Sequence, residues 1–402
     1  MTRAVREANF IWKQPTRHRI VIRGCHCSIM RIMIVTDAWF PQTNGVVSTL
    51  SQTAQWLKRF GHEVAVLTPQ VFRSIPCPTY PEIRLSLFPY RQLETAILNF
   101  APQALHIATE GPLGLSARRF CLKRRVCFTT SYHTQFPQYL RARFPIPLAV
   151  SYAALRRFHG AAVRCMVSTP SMRTQLAAQG FANLAHWQRG VDTEKFKPRA
   201  KDFLTLPRPI AAYVGRVAVE KNIDAFLSMP WVGSKIVVGD GPERARLQRQ
   251  YPDATFTGYK FGDELASHVA AADVMVFPSR TDTFGLVNLE AMACGVPVAA
   301  YPVTGPIDVI EEGVTGALDV DLATAAVRAL KVERQGCRAR ALKTGWDIST
   351  RQFEGNLAPC RDLAADAARQ PQPKLILASR LVRESALDKA SSSSIRPSRT
   401  RL

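Results

Sequence analysis

The sequence predicts an α/β protein built from two doubly wound domains, and three observations carry that prediction. Short β-branched apolar runs alternate with amphipathic stretches, the pattern of parallel strands joined by crossover helices. The alternation breaks off at Gly190 and starts over after Pro209, so the series occurs twice. The chain has 402 residues, enough for two cores, and its 47% apolar against 21% charged composition excludes wholesale disorder.

Residues 1–29 carry six basic side chains against one acid, with no apolar run long enough for a secretory signal. We read them as a disordered basic extension, either an organellar leader or the product of a start codon set too far upstream, with the fold beginning at Met30. A first domain over residues 30–195 is expected to hold strands at Arg31–Thr36, Glu63–Thr68, Ala104–Ala108, Val126–Ser131 and Cys165–Thr169. Helical patterns such as Val47–Phe60 and Leu148–Ala162 separate them. Between Gly190 and Pro209 the periodicity is broken by Gly190-Val191-Asp192 and by prolines and basic residues, which marks the join. A second domain over residues 196–345 is expected to hold strands at Ile210–Val214, Lys235–Val238, Thr255–Thr257, Val274–Pro278 and Pro297–Tyr301, with helices around Asn222–Ser228, Pro242–Gln250 and Leu286–Cys294. Residues 346–369 read as a helical segment crossing back to the first domain. Residues 370–402, with Ser391 to Ser394 and seven basic residues against two acids, read as a disordered basic tail.

Several function classes fall away at this stage. The longest uncharged run, Ala291 to Ile307, is interrupted by Gly295, Pro297, Pro302, Gly305 and Pro306, so no bilayer span is expected. Nine scattered cysteines, an odd number, suit a reducing cytoplasm better than a disulfide framework. Cys25-His26-Cys27 lacks the spacing and the second ligand pair of a zinc site, and no metal is expected. A formal charge of +22 could mark nucleic-acid binding, but no recognition motif accompanies it, so no specific nucleic-acid partner is expected.

Ligands of doubly wound sheets bind beyond the carboxyl ends of the strands. After the first strand, Asn44-Gly45-Val46 leads into a helix, and Gly45 would let a ligand approach backbone N–H groups. It is neither a dinucleotide fingerprint nor a Walker loop. His133 stands at the end of the fourth strand, where an isolated histidine could equally serve packing. Arg216 and Lys221, five apart just beyond a strand, suit a diphosphate: a planar fork and a mobile point charge can neutralise a leaving phosphate without a divalent metal. The richest segment runs from Pro278 to Pro297, where a strand ends and a helix begins near Gly285. Free N–H groups there suit a phosphate, while Asp282 and Glu290, eight apart, flank the helix start. Two carboxylates beside an anion site suit hydroxyl donors, as on a hexose and a ribose. These residues point to a nucleotide sugar.

On these motifs the chain resembles the retaining family 4 glycosyltransferases of GT-B architecture, from about Met30 to Leu357. Its Asp282…Glu290 is similar to the family's E-x7-E motif, Arg216 and Lys221 to its basic pair, Asn44-Gly45-Val46 to its glycine-rich loop and His133 to its strand-end histidine. The segments Arg31–Val47, Ser131–Leu140, Arg143–Pro147 and Ala300–Pro306 look like bacterial mannosyltransferases and glycolipid synthases related to sulfolipid-forming enzymes. The resemblance implies two domains facing across a cleft and a diphosphate held by Arg216, Lys221 and the backbone of Phe284, Gly285 and Leu286. It further implies that Glu290 takes the ribose hydroxyls, Asp282 the hexose hydroxyls and His133 a sugar hydroxyl near the reacting carbon, with Gly45 completing the site on closure. The implied reaction moves a hexose from a UDP- or GDP-sugar with retention, needing neither metal nor cofactor. Asp282 departs from the more usual Glu and is one methylene shorter.

The basic residues Arg118, Arg119, Lys123, Arg124, Arg125, Arg141, Arg143, Arg156, Arg157 and Arg164 cluster in the first domain, interleaved with Tyr139, Phe144, Tyr152 and Phe158. That pattern fits docking on an anionic membrane surface with a lipid acceptor such as diacylglycerol, the protein lying peripherally on the inner face of the cytoplasmic membrane. A merely solvated basic surface stays open. So do transfer to a soluble or polyprenyl-linked glycan, a GT-B epimerase, and an inactive nucleotide-sugar-binding relative.

Overall fold

A computed structural model describes residues 29–77, 80–360 and 363. The basic extension up to residue 28, with Cys25-His26-Cys27, and the tail from residue 370 lie outside the described residues.

The first half of the chain forms β1 (Arg31–Val35), β2 (Glu63–Leu67), β3 (Ser74–Cys77), β4 (Tyr80–Ser86), β5 (Ala104–Ile107), β6 (Thr129–Ser131), β7 (Arg164–Val167) and β8 (Leu184–His186). Between them run α1 (Gly45–Arg59), α2 (Tyr90–Phe100), α3 (Pro112–Arg124), α4 (Phe136–Arg143), α5 (Leu148–His159) and α6 (Pro170–Ala178). Six of these strands make one parallel sheet in the order β2-β1-β5-β6-β7-β8, while β3 and β4 form a separate antiparallel hairpin. Interior strands such as β1 are buried along almost their whole length because helices cover both faces, which is why Arg31-Ile32-Met33-Ile34-Val35 is nearly all apolar.

The second half repeats the plan. It comprises β9 (Ile210–Val214), α7 (Ile223–Ser228), β10 (Ser234–Val238), α8 (Arg244–Gln250), β11 (Thr255–Gly258), α9 (Gly262–Ala271), β12 (Val274–Phe277), α10 (Leu286–Ala293), β13 (Val298–Ala300), α11 (Pro306–Val309), β14 (Gly316–Leu318), α12 (Leu322–Ala329) and α13 (Arg334–Leu342). Its sheet is also parallel, ordered β11-β10-β9-β12-β13-β14. Strand order therefore reverses between β1 and β5 and again between β9 and β12, the switch points where such folds leave a crevice.

After α13 the chain returns to the first sheet as α14 (Trp346–Asn356). Phe353 is fully buried with Ile32, Ile34 and Trp187, and Glu354 meets His62 at 3.1 Å. The outward and return crossings run side by side: Val191 N–H donates to the Thr344 carbonyl at 2.9 Å, and Val191 bridges Gly345. Gly190 must be glycine at this crossing, since a Cβ there would stand 2.6 Å from the Trp346 Cα.

Two expectations are corrected. Val126 and Phe128 pack in the core ahead of β6, with Cys127 exposed between them, and do not join the ladder, so that strand begins only at Thr129. The aromatics interleaved with the arginines do not form a membrane face. Tyr152 and Phe158 point inward from α5 and are buried, Tyr139 is half-buried, and only Phe144 is exposed. Arg156 and Arg157 occupy the outer face of the same helix, so neighbours in sequence sit on opposite sides of it. Among the described residues no helix is long and apolar enough to cross a membrane.

Candidate active site

The two switch points face each other, and the chain segments beyond β1, β6, β9 and β12 meet along the seam. At the end of β1, Asp37 is turned away from it. Its carboxylate accepts from Leu113 N–H at 2.9 Å, Gly114 N–H at 3.2 Å and the Thr109 hydroxyl at 2.9 Å, capping α3. Burial nevertheless raises its pKa above the ordinary aspartate value, against those hydrogen bonds. The loop then reaches Asn44, whose side chain accepts from Val46 and Val47 N–H at 3.0 Å each and so starts α1. Gly45 begins that helix and faces α10: a Cβ on it would lie 3.5 Å from the Leu286 side chain.

Beyond β12, Gly285 adopts φ +82°, and a Cβ there would strike Asn288 at 2.6 Å and Phe277 at 2.7 Å. Only glycine makes this turn, which presents the N-terminal end of α10 at Leu286 to the seam while Phe284 anchors the loop in the second core. Lys221 closes a 3-10 turn after β9, and its Nζ lies 2.5 Å from the Asp282 carboxylate. Burial alone would lower the lysine pKa, but the Asp282 charge, aided by the phenols of Tyr139 and Tyr213, outweighs it and holds the ammonium protonated. Arg216 is paired across the seam with Glu82 of β4. A cavity of about 410 Å³ opens beside that pair, lined by residues including Gln42, Asn44, Ile83, Asp240 and Tyr259.

Glu290 stands alone. It is half-buried on α10, and no side-chain hydrogen bond or ion pair reaches it among the described residues. Burial pushes its pKa up to about 7, with only the charge of Lys195 opposing.

His133 is placed at the seam, but its ring is engaged within the first domain. Arg189 Nη2 donates to Nδ1 at 3.3 Å, which leaves the proton on Nε2, 2.8 Å from the Ser131 hydroxyl. Burial and then the Arg189 charge push its pKa well below the usual histidine value, so it is neutral. Its carbonyl accepts from the Thr283 hydroxyl at 2.8 Å, and the Thr283 carbonyl accepts from the Ser168 hydroxyl at 3.0 Å. These two bonds fasten the Asp282–Gly285 loop to the first domain. His133→Ala, which removes the ring and frees Arg189 and Ser131 at the seam, is expected to lower turnover about tenfold while thermal unfolding stays cooperative. Failure of that variant to fold would assign the imidazole to packing.

The structure thus brings Gly45 against Leu286, His133 against the loop that carries Asp282, Phe284 and Gly285, and Lys221 against Asp282, with Arg216 paired to Glu82 beside the cavity; Glu290 lies one turn further along α10, apart from the others. Sequence reasoning missed Glu82, Ser168, Thr283 and Arg189. Arg189 is buried, stacked 4.2 Å over the Trp187 ring, in the last residues of the first domain just ahead of the join at Gly190. Among the described residues no three metal-ligating side chains converge.

Two Rossmann-like parallel sheets facing across this cleft make the GT-B architecture. Family profiles agree: "Glycosyltransferase Family 4" matches residues 43–195 and "Glycosyl transferases group 1" matches residues 208–331. The chain is 31% identical over 316 residues to a GDP-mannose-dependent alpha-mannosyltransferase of Mycobacterium tuberculosis, covering 72% of this chain and 83% of that one. It is 31% identical over 340 residues to a sulfoquinovosyl transferase of Arabidopsis thaliana, covering 75% and 67%. Among solved structures, sucrose-phosphate synthase from Thermosynechococcus elongatus shares the fold with a TM-score of 0.63 at 20% identity, over 81% of this chain and 97% of that one. The chain belongs to the family 4 glycosyltransferases, enzymes that transfer a sugar from a nucleotide sugar.

Proposed function

We propose that the protein is a metal-independent, retaining hexosyltransferase that moves a hexose from a nucleoside-diphosphate sugar to a hydroxyl of a membrane lipid. Mannose from GDP-mannose is the first donor to test, because the mycobacterial relative is named for it. What supports the reading is the ion pair of Lys221 with Asp282 next to the turn that starts α10, with Arg216 after the same strand as Lys221 and the unpartnered Glu290 one turn along α10. The two cations and the helix end would hold the diphosphate and offset its charge as it leaves. Glu290 would accept from the ribose hydroxyls and Asp282 from the hexose. The bond from C1 to the diphosphate oxygen breaks, the acceptor oxygen bonds to C1 on the same face, and its proton passes to the departing diphosphate. A lipid acceptor is supported by the glycolipid enzymes among the relatives, which include an alpha-monoglucosyldiacylglycerol synthase of Streptococcus pneumoniae.

The test is a transfer assay with radiolabelled nucleotide sugars and acceptors presented in diacylglycerol-containing vesicles or as soluble glycans, with Glu290→Ala as control. Label is expected in the lipid with the wild type only. Label confined to a soluble glycan would overturn the lipid acceptor, and product formed from donor alone would overturn transfer.

A further inference from the structure

We propose that the edge of the first domain where β3 and β4 meet α2 is the surface that docks on an anionic bilayer. This deepens the lipid-acceptor reading and rests on it. Phe88 follows β4 at φ +48° and is 97% exposed, a strained backbone carrying a phenyl ring into solvent. Leu87 beside it and Ile75 on the paired strand are 41% and 47% exposed. The register puts Arg73 opposite Leu87, since Leu87 N–H donates to the Arg73 carbonyl at 2.7 Å. Residues that face each other across a ladder, and those two apart along a strand, share a side of the hairpin, so Arg73, Ile75 and Leu87 project together.

Positive charge surrounds this apolar tip. Arg91 is exposed in the first turn of α2, and Arg119 of α3 stacks 5.0 Å over the ring of Tyr90, two residues from Phe88. Leu115, one turn before Arg119 on the same helix face, adds a further exposed apolar side chain. The carboxylates carried by β4 and α2, Glu82 and Glu94, face Arg216 and Arg124 and do not offset the tip. Apolar side chains set in a ring of arginines match an anionic interface, where the rings enter the headgroup layer and the guanidinium groups meet phosphates.

The same strand links this tip to the cleft. Ile83 lines the cavity beside Arg216, and Phe88 lies five residues further, roughly 16 Å along an extended strand. The tip and the cavity thus lie along one strand of the same domain, so docking at Phe88 would hold the cavity close above the bilayer surface.

The test is co-sedimentation of the full chain with phosphatidylglycerol-containing vesicles and with phosphatidylcholine vesicles, at low and at raised salt. The wild type is expected to bind the anionic vesicles, and Leu87→Ser with Phe88→Ser to weaken binding at least tenfold. Arg73→Gln and Arg91→Gln are expected to weaken it roughly fivefold each and to reduce its salt dependence. Thermal unfolding and nucleoside-diphosphate binding by calorimetry are expected to match the wild type in all four substitutions. Wild-type levels of vesicle binding by the Leu87/Phe88 variant would overturn the proposal, as would failure of the wild type to bind. A concentration-dependent dimer lost in the Phe88 variant, without vesicle binding, would reassign the tip to a second copy of the chain. Vesicle binding needs no sugar transfer, so this proposal and the lipid-acceptor reading fail in separate assays.

Discussion

Alanine at Lys221 is expected to lower turnover by about 10²-fold or more, with the loss mainly in kcat. Deleting a group that offsets charge developing in the transition state costs on this order elsewhere. The structure adds a reason for the size. Lys221 is drawn to Asp282 at 2.5 Å, and removing it leaves that carboxylate beside the donor with no cation opposite, so one substitution deletes an attraction and exposes a repulsion. Steady-state rates at saturating donor check this, and a rate within a few-fold of wild type would remove Lys221 from the reaction. Donor binding by calorimetry should suffer less than kcat, because the ground-state diphosphate retains Arg216 and the α10 N-terminus.

Glu290 gives the second large effect and couples it to pH. Glu290→Ala is expected to cost about 10²-fold or more in kcat/KM, and Glu290→Gln should be similarly impaired because a carboxamide replaces a charged acceptor of two hydroxyl donors. The same carboxyl is a burden on the unliganded fold. Burial raises its pKa from 4.5 to about 7, so the acid form is preferred in the folded state. Its stabilising contribution is complete below about pH 4.5 and is lost as pH rises through 7. Glu290→Gln is therefore expected to melt at a higher temperature than wild type at pH 8, with the difference closing as pH falls toward 5. Scanning calorimetry across that range checks the sign. Identical melting at every pH would mean that the carboxyl is better solvated than its surroundings imply.

The main architecture was legible because interior parallel strands leave a plain mark. Ile210–Val214 is apolar throughout and appears as β9 with the expected bounds, since both of its faces are covered. The hairpin of β3 and β4 left no such mark. Pro76 and Pro81 interrupt it, Arg84 and Glu82 break its alternation, and as an isolated pair of strands it needs no continuous apolar run. Its omission concealed Glu82. Likewise the cations and carboxylates of the cleft could be chosen locally by their place at strand ends, but not their partners. Lys221 and Asp282, 61 residues apart, meet because β9 and β12 are neighbours in one sheet, and Arg216 and Glu82, 134 apart, meet because the two halves face each other. The engagement of His133 with Arg189 was hidden in the same way: the two are 56 residues apart and meet because the chain beyond β6 and the chain beyond β8 belong to one sheet.

The paired crossings at Val191 and Gly345 bear on how such a cleft could open. A single tether would let the halves swivel freely, whereas two strands bonded edge to edge bend together about one line. Twisting about any other axis would shear the Val191 to Thr344 hydrogen bond and press Gly190 against Trp346. Motion between the halves is therefore expected to favour that one line, a door swing rather than a ball joint. An opening about that line would part Glu82 from Arg216 and Thr283 from His133, and a closing about it would bring them back in the same alignment.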